Sequence, residues 1–183
     1  MLIGLTGSKG SGKDTFAEAL VPHNFLNIKF ADPLKNMLRA MYHSAGVAPE
    51  LIERKIEGDL KDEPCEILGG QLPRYGMQTL GTEWRDMLRR TLWSNIFRAR
   101  VEPILKEGSP VVCTDVRFHH EEKLLRELGG TLVRVHRPGL ENRDNHVSEL
   151  EMESLEVDTT VYNVGSKKDL HDQAINYLLQ EQN

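Results

Sequence analysis

The stretch "GLTGSKGSGKDTF", residues 4–16, overlaps a short apolar run at 2–6 and holds several glycines just before a lysine. It nearly matches the phosphate-binding pattern Gly-x-x-x-x-Gly-Lys followed by Ser or Thr. Gly7, Gly12 and Lys13 fit, but Asp14 stands where the hydroxyl residue belongs, and Thr15 comes one position later. A strand before the loop and a helix after it is the setting that this motif requires, so we expect the loop to bind phosphates.

The backbone of the loop and one lysine explain this chemistry. Glycines let consecutive N–H groups turn inward toward an anion, beside the positive end of a helix dipole. Lys13 adds a point charge for the β- and γ-phosphates of a nucleotide such as ATP. We expect nine consecutive residues to bind it: Gly7, Ser8, Lys9, Gly10, Ser11, Gly12, Lys13, Asp14 and Thr15.

The carboxylate of Asp14 is the departure from the usual loop. If it pointed inward, it would repel the phosphates by about a few kcal/mol at moderate effective dielectric. We expect it to face outward or to touch magnesium only through water, while Thr15 supplies the hydroxyl. Nucleoside monophosphate kinases have the same shift, because their loop ends Gly-Lys-Gly-Thr. The shift therefore favours small-molecule kinases over GTPases and motor ATPases.

Strand-like and helical patterns alternate about five times along the chain, which predicts an α/β fold with a parallel sheet and helices on both faces. Strands are expected at 2–6, 25–30, 110–116, 131–136 and 157–164. Helices are expected at 13–20, 32–46, 49–57, 82–106, 118–130 and 148–155, before a closing helix with Leu170, Ala174, Tyr177 and Leu178 on one face. Residues 58–75 show little periodicity and are expected to form a mobile excursion.

Composition narrows the class of protein. The 183 residues suit a single domain, with 39% hydrophobic and 28% charged residues, and the net charge of −5 argues against nucleic acid as a partner. Cys65 and Cys113 do not have zinc-ligand spacing. With neither a signal peptide nor a membrane-spanning apolar run, we expect a cytoplasmic protein, in the host cytoplasm if a phage encodes it. Whether it forms a homodimer stays open.

Acidic residues follow two of the expected strands. Asp32 either orients an acceptor or holds magnesium, or it caps the helix that Pro33 begins, and both roles are compatible. Asp115 ends the most apolar strand, which is where proteins with a phosphate-binding loop place the acid that organises magnesium. The alternative role of Asp115 is to cap the next helix. Arg117, two residues further on, could grip a phosphate bidentately.

Two arginine clusters could serve phosphates as well. Residues 80–90, "LGTEWRDMLRR", place Arg85 and Arg89 four apart, on one face of a helix, next to Trp84. They could receive a monophosphate while the aromatic ring stacks on a base, although periodicity alone favours a solvated basic face. Three arginines around the loop at 137–145 could close over phosphates: Arg134, Arg137 and Arg143. For each one taken singly, an ordinary surface charge is the alternative.

Several motifs together resemble the phage-type deoxynucleoside monophosphate kinases, over about residues 1–165. The motifs are "GSKGSGKDTFA", "FADPLK", "LGTEWRD", "TDVRFHHE" and "HVSELE", in the family's order and approximate spacing. The resemblance implies a P-loop three-layer sandwich with a five-stranded parallel sheet. It also implies magnesium-dependent transfer of the ATP γ-phosphate to a deoxynucleoside monophosphate.

The resemblance also implies which residues act. Lys13, Asp32, Asp115, Arg117 and Arg137 would be catalytic, with Thr15 and Asp115 at the metal. The acceptor would contact Asp32, Lys35, Thr82, Glu83, Trp84, Arg85 and Arg89. Residues 47–92 would form the acceptor-binding insertion and 137–147 the lid, within one domain over 1–183.

Two other functions stay open at this point. One is a kinase for another small phosphorylated acceptor, such as dephospho-coenzyme A. The other is an ATP-binding regulatory module, although a second phosphate pocket at 80–90 would be superfluous in a switch. The accepted bases and the choice between deoxyribose and ribose are not readable from motifs.

Overall fold

A computed structural model describes residues 1–140 and 151–181 of the chain. The chain divides into two compact units. The first, here called the sheet unit, comprises Met1–Phe30 and Phe97–Asn183; the second, the helical unit, comprises Ala31–Ile96. The expected acceptor-binding insertion, residues 47–92, lies wholly within the helical unit.

The sheet unit contains five parallel strands in the order β2-β3-β1-β4-β5. They are β1 Leu2–Thr6, β2 Leu26–Asn27, β3 Val111–Cys113, β4 Thr131–His136 and β5 Thr159–Tyr162. Every residue of the central strand β1 is buried, as expected for a parallel sheet covered on both faces. The predicted five-stranded parallel sheet is confirmed.

Helices cover both faces of this sheet. They are α1 Lys13–Leu20, α7 His119–Glu127, α8 Lys167–Glu181 and, from Phe97 onward, α6 Leu92–Lys106. One apolar cluster joins Ile3 and Leu5 of β1 to helices α1 and α8, and includes the four residues predicted for the closing helix. A second cluster joins Leu2 to α6 and α7. Alternate residues of β1 therefore face opposite layers, and the three-layer architecture follows.

The helical unit contains four complete α-helices, the first residues of α6 and short connecting segments. The helices are α2 Asp32–Ser44, α3 Pro49–Ile56, α4 Pro73–Thr79 and α5 Arg85–Leu88, and a π-helical segment, Leu80–Trp84, links the last two. Leu38, Tyr42, Ile52, Ile56 and Cys65 form its core. No helix in the described ranges is sufficiently long and apolar to span a bilayer.

Residues 58–75 differ from the expected excursion without regular structure. They form two 3₁₀ helices, Asp59–Asp62 and Glu66–Leu68, and the first residues of α4. Cys65 is 2% exposed and packs in the core of the helical unit. Single apolar residues such as Cys65 anchor this segment in the core. Because they do not recur at a helical or strand period, the hydrophobic pattern of the sequence could not predict that the segment is ordered.

Candidate active site

The glycine loop between β1 and α1 has the backbone that its sequence predicts. Gly7, Gly10 and Gly12 have φ angles of +136°, +81° and +111°, which glycine tolerates and other residues rarely adopt. A Cβ atom on Gly7 would lie 2.3 Å from the carbonyl oxygen of Val135 in β4. The loop therefore needs glycine there, and it leads directly to Lys13, the first residue of α1.

The hydroxyl of Ser11 lies inside this loop and fits an anion. Ser11 is 1% exposed, and within the described part of the chain its Oγ has no hydrogen-bond partner. A buried polar group without a partner costs about 1–3 kcal/mol, which is why such groups usually serve a ligand or water. A phosphate oxygen would accept the missing hydrogen bond.

Lys13 is held against the same loop. Its Nζ donates to the carbonyl oxygens of Gly7, at 2.5 Å, and of Ser8, at 2.9 Å. The ammonium therefore lies within the curve of the glycine loop, where its charge favours a phosphate. Lys9 and Gly10 are exposed, and Thr15 is partly buried in the first turn of α1.

Asn163 was not predicted from the sequence. It follows the edge strand β5 and fixes the glycine loop from there. Its side-chain Nδ2 donates to the carbonyl oxygen of Ser11 at 2.9 Å. Its backbone N–H donates to the carbonyl oxygen of His136 at 2.7 Å. Asn163 thereby ties the segment after β5 both to the end of β4 and to the phosphate-binding loop.

A cleft of about 340 Å³ lies beside the loop. Its walls include Gly7, Ser11, His136, Arg137, Leu140 and Met152. Arg137, the lid arginine chosen from the sequence, is exposed at this cleft. Of the expected lid at 137–147, residues 137–140 are described, whereas Arg143 lies outside the described residues.

Arg134 has a different role from a mobile phosphate ligand. Its guanidinium Nη2 donates to the carbonyl oxygens of Met152, Glu153 and Leu155, at 3.1–3.3 Å. A cation beside several carbonyl groups at the end of a helical turn is stabilising. This arginine therefore anchors residues 152–155 to β4.

Asp14 lies in the first turn of α1, and Asp115 follows the end of β3, the strand next to β1. Asp14 Oδ1 accepts hydrogen bonds from Lys29 Nζ at 2.8 Å and from Thr114 Oγ1 at 3.3 Å. Partial burial raises the pKa of Asp14, but the hydrogen bond and charge of Lys29 outweigh it, so the pKa lies below its usual value. Asp14 is therefore ionised at neutral pH.

Asp115 braces a neighbouring strand rather than the next helix. Its Oδ1 accepts the backbone N–H of Phe30 at 2.9 Å. Helix α7 begins at His119 with Phe118 as its N-cap, so the alternative that Asp115 caps this helix is wrong. Glu121 performs that task, because its carboxylate accepts the N–H groups of Arg117, at 2.8 Å, and of Phe118, at 3.1 Å.

Glu121 and Cys113 are buried behind Asp115. Burial, together with the charge of Asp115, raises the pKa of Glu121 to about 8. The same two causes raise the pKa of the Cys113 thiol well above its usual value. Cys113 is therefore a buried thiol in its neutral form, and burial favours the neutral form of Glu121 as well.

The remaining candidates belong to the helical unit. Asp32 is the first residue of α2 and Ala31 its N-cap, so the expected N-cap position of Asp32 is wrong by one residue. Asp32 is partly buried. Lys35, one turn later, binds both carboxylate oxygens of Glu57 at 2.9 Å.

The segment around Trp84 adopts the π-helical form between α4 and α5, and such segments are frequent at functional sites. Trp84 is 36% exposed, and its ring lies 5.9 Å from that of Trp93. Thr82 Oγ1 donates to the carbonyl oxygen of Gln78 at 2.8 Å and also contacts the carboxylate of Glu83.

Arg85 and Arg89 lie one helical turn apart, since the backbone N–H of Arg89 donates to the carbonyl oxygen of Arg85 at 2.7 Å. Helix α5 ends at Leu88, and Arg89 is extended, with φ −169° and ψ 135°. Arg85 is 6% exposed and donates to Asp86 at 2.8 Å. The break between α5 and α6, at residues 89–91, interrupts the helix predicted at 82–106.

The fold and the loop together define a P-loop protein, in which a nucleotide phosphate tail binds between the central strand and the first helix. Solved structures share the fold. Dephospho-CoA kinase from Campylobacter jejuni aligns with 98% of this chain and 96% of its own, with TM-score 0.54 and 17% identity. TT1252 from Thermus thermophilus aligns with 100% and 98%, with TM-score 0.55 and 20% identity. Identities this low show the fold alone.

Sequence comparison gives the family. Residues 73–174 match the family model of deoxynucleotide monophosphate kinase. A protein of Acanthamoeba polyphaga mimivirus, whose name assigns it to these kinases, is 34% identical over 168 residues, covering 85% of this chain and 83% of that protein. The deoxynucleotide monophosphate kinase of Escherichia phage RB69 is 32% identical over 97 residues, covering 52% of this chain and 40% of the phage protein. The chain belongs to the deoxynucleotide monophosphate kinase family, and the predicted resemblance is confirmed.

Proposed function

We propose that this protein transfers the γ-phosphate of ATP to a deoxynucleoside monophosphate, giving ADP and the deoxynucleoside diphosphate. The observation that carries the proposal is the glycine loop of a chain in this family. The loop presents a buried Ser11 hydroxyl without a partner, and Lys13 lies within its curve. That combination suits a triphosphate tail better than any other anion of cellular abundance.

Each residue of the donor side has a simple task. The loop N–H groups and Ser11 hold the phosphates, and Lys13 offsets their charge. Arg117 and Arg137 stabilise the charge of the phosphoryl group as it moves. The reaction needs no covalent intermediate, because positioning and charge neutralisation supply most of the acceleration.

Magnesium fits the oxygen donors on this side. Asp14, Thr15 and Asp115 carry hard oxygen atoms, the ligands that Mg²⁺ prefers. Over the described ranges, no three His, Cys, Asp or Glu side chains form a metal-binding group. Mg²⁺ commonly takes only one or two carboxylates, because waters and nucleotide phosphates complete its shell. When bound, it neutralises the charge of the triphosphate.

We assign the acceptor to the helical unit. Arg85 is a buried arginine beside a half-exposed tryptophan, Trp84, a pairing that suits a phosphate and a base. Asp32, Lys35, Thr82, Glu83 and Arg89 complete the proposed acceptor set.

A coupled ADP-release assay tests the proposed function. It compares deoxynucleoside monophosphates, ribonucleoside monophosphates and dephospho-coenzyme A as acceptors, with ATP and Mg²⁺ present throughout. We expect turnover with at least one deoxynucleoside monophosphate. Turnover with dephospho-coenzyme A alone would reverse the assignment, and a slow ATPase activity insensitive to every acceptor would point to a regulatory module.

Lys13→Ala tests the donor site within the same assay. We expect turnover to fall by about a hundredfold to a thousandfold, the usual cost of removing one group that stabilises transition-state charge. The circular dichroism spectrum should stay unchanged. Lys168→Ala is the control, since Lys168 forms an exposed ion pair with Asp172 in α8. Near-normal turnover of Lys13→Ala would refute the role of this lysine.

A further inference from the structure

Lys29 has no place in the donor site described so far, yet it contacts the residue that departs from the usual loop. Its Nζ lies 2.8 Å from Asp14 Oδ1. Thr114 Oγ1 reaches the same oxygen from the end of β3, at 3.3 Å. Asp14 is thus held by two side chains at the position where most such loops carry a hydroxyl.

The backbone around Lys29 is fixed on both sides. Ile28 N–H donates to the carbonyl oxygen of Val112, and Phe30 N–H donates to Asp115 Oδ1, each at 2.9 Å. Ile28 and Phe30 are buried in the apolar cluster of α6 and α7, and the Phe30 ring stacks on Phe97 with centroids 4.0 Å apart. The contact between Lys29 and Asp14 therefore starts from an anchored backbone.

Sheet topology brings these groups to one edge. Asp14 follows β1 through the loop, Lys29 follows β2 and Thr114 follows β3, and these three strands are neighbours in the order β2-β3-β1. The carboxyl ends of parallel strands meet at the same edge, which is also where ligands of this fold bind. Lys29 is 28% exposed and Asp14 is 72% exposed, so an ordinary surface ion pair is the competing explanation.

The negative charge of Asp14 favours a role in the phosphate site over an ordinary surface ion pair. A Ser or Thr hydroxyl is neutral, whereas the ionised Asp14 adds a negative charge one residue beyond Lys13, beside a triphosphate that already carries several. An ammonium on Asp14 cancels that charge and leaves its direction fixed by two hydrogen bonds. The Asp14–Lys29 pair is therefore close to neutral, as the hydroxyl is, and still offers carboxylate oxygen to a cation.

We propose that Lys29 is a positioning residue: it holds and neutralises Asp14, so that the pair takes the place of the loop hydroxyl on the divalent-cation side of the phosphate site. This inference rests on the proposed function, since it presupposes that the loop binds a nucleotide with its cation. It gives Asp14, together with Lys29, the place of the loop hydroxyl, which the sequence assigned to Thr15.

A double-mutant cycle tests this role by ligand binding, without turnover. The variants are Lys29→Met, which keeps the aliphatic stem, Asp14→Ser, which restores the usual motif, and the double variant. Two quantities are measured for each protein: the dissociation constant of the β,γ-imido analogue of ATP with Mg²⁺, and Mn²⁺ binding by electron paramagnetic resonance with that analogue present.

We expect Lys29→Met to weaken analogue binding at least tenfold when Asp14 is present, and less than threefold in the Asp14→Ser background. Mn²⁺ binding should follow the same pattern. Lys29→Arg should recover part of the loss, because it keeps the charge. Lys168→Met, which alters an exposed pair in α8, is the matched control and should change neither quantity.

Equal factors in both backgrounds would overturn the proposal, because Lys29 would then act independently of Asp14. A loss confined to thermal stability, with binding unchanged, would also overturn it by showing a purely structural ion pair. The test is separable from the proposed function. A chain that binds the analogue but phosphorylates no monophosphate would refute that function, while the cycle would still decide the role of Lys29.

Discussion

Gly7→Ala should weaken the fold at the phosphate-binding loop, and two contacts set the size of the effect. The new Cβ would lie 2.3 Å from the carbonyl oxygen of Val135 and 3.0 Å from Ser11 Oγ. That carbonyl belongs to the backbone of β4, which pairs with β1, so it cannot rotate away as a flexible side chain could. To restore an ordinary van der Waals separation, loop and strand must move apart by about 1 Å.

Two costs add up in this variant. A residue other than glycine at a sparsely populated backbone conformation costs about 1–3 kcal/mol, and φ at Gly7 is +136°. Overpacking against a rigid neighbour adds about 1–3 kcal/mol. We expect a loss of about 3 kcal/mol in the free energy of unfolding, which lowers Tm by about 6–12 °C for a chain of this size.

Gly10→Ala is the matched control. Its φ of +81° is also left-handed, but the nearest atom to the new Cβ is a methyl carbon of Leu140 at 3.8 Å. We expect a loss of about 1 kcal/mol, from the backbone conformation alone.

Urea unfolding followed by far-ultraviolet circular dichroism measures both variants. Fluorescence would be a poor probe, since Trp84 and Trp93, the tryptophans of the chain, belong to the helical unit. Nucleotide affinity should fall with stability for Gly7→Ala, because the same backbone forms the anion site. If the two variants lose equal stability, within about 0.5 kcal/mol, the close approach of Val135 does not constrain the loop.

Two further predictions concern buried ionisable groups. Tyr177→Phe should cost about 1 kcal/mol by removing the 2.7 Å hydrogen bond to Thr131 Oγ1. Burial raises the pKa of Tyr177 to about 12, so the free energy of unfolding of the wild type should fall between about pH 10 and 12. Urea titrations over this range should show a smaller fall for Tyr177→Phe. Parallel stability curves for the two proteins would contradict this prediction. Burial raises the pKa of Glu121 to about 8 from 4.5, so the fold favours its neutral form and loses stability as pH rises through that interval. Glu121→Gln should therefore gain at least about 1 kcal/mol relative to wild type between pH 5 and pH 9, and an unchanged difference between the two proteins would refute the shift.

Elements with strong local signals were predictable from the sequence. Helix α1, Lys13–Leu20, and strand β4, Thr131–His136, have the bounds that were predicted. The buried face of α8 also matches. These signals are local: glycine and proline mark the ends of helices, and apolar residues recur at a regular period. Each acts within a few residues, so it can be recognised without knowing the rest of the chain.

Weaker local signals gave predictions that differ from the structure. The strand expected at 25–30 is reduced to Leu26–Asn27. Ile28 N–H still bonds to Val112 of β3, but Phe30 N–H bonds to the side chain of Asp115 and not to the backbone of β3. The pattern predicts one helix over 82–106, but α5 ends at Leu88, where the extended backbone of Arg89 begins a break before α6. Periodicity reports spacing and cannot report where a backbone stops being helical.

The support of the phosphate site was not predictable from any pattern. Thr114 reaches Asp14 across 100 residues of sequence, and Asn163 reaches Ser11 across 152. No motif marks such partners, because each is chosen by strand order and not by neighbours in the chain.

The sequence by itself determined the anion site, since glycines followed by a lysine constrain their own backbone and bring their own charge. Only the tertiary structure decided how an aspartate can follow that lysine. Parallel strands place Lys29 and Thr114 beside Asp14, and a cation from elsewhere in the chain reduces the repulsion between this carboxylate and nearby phosphates.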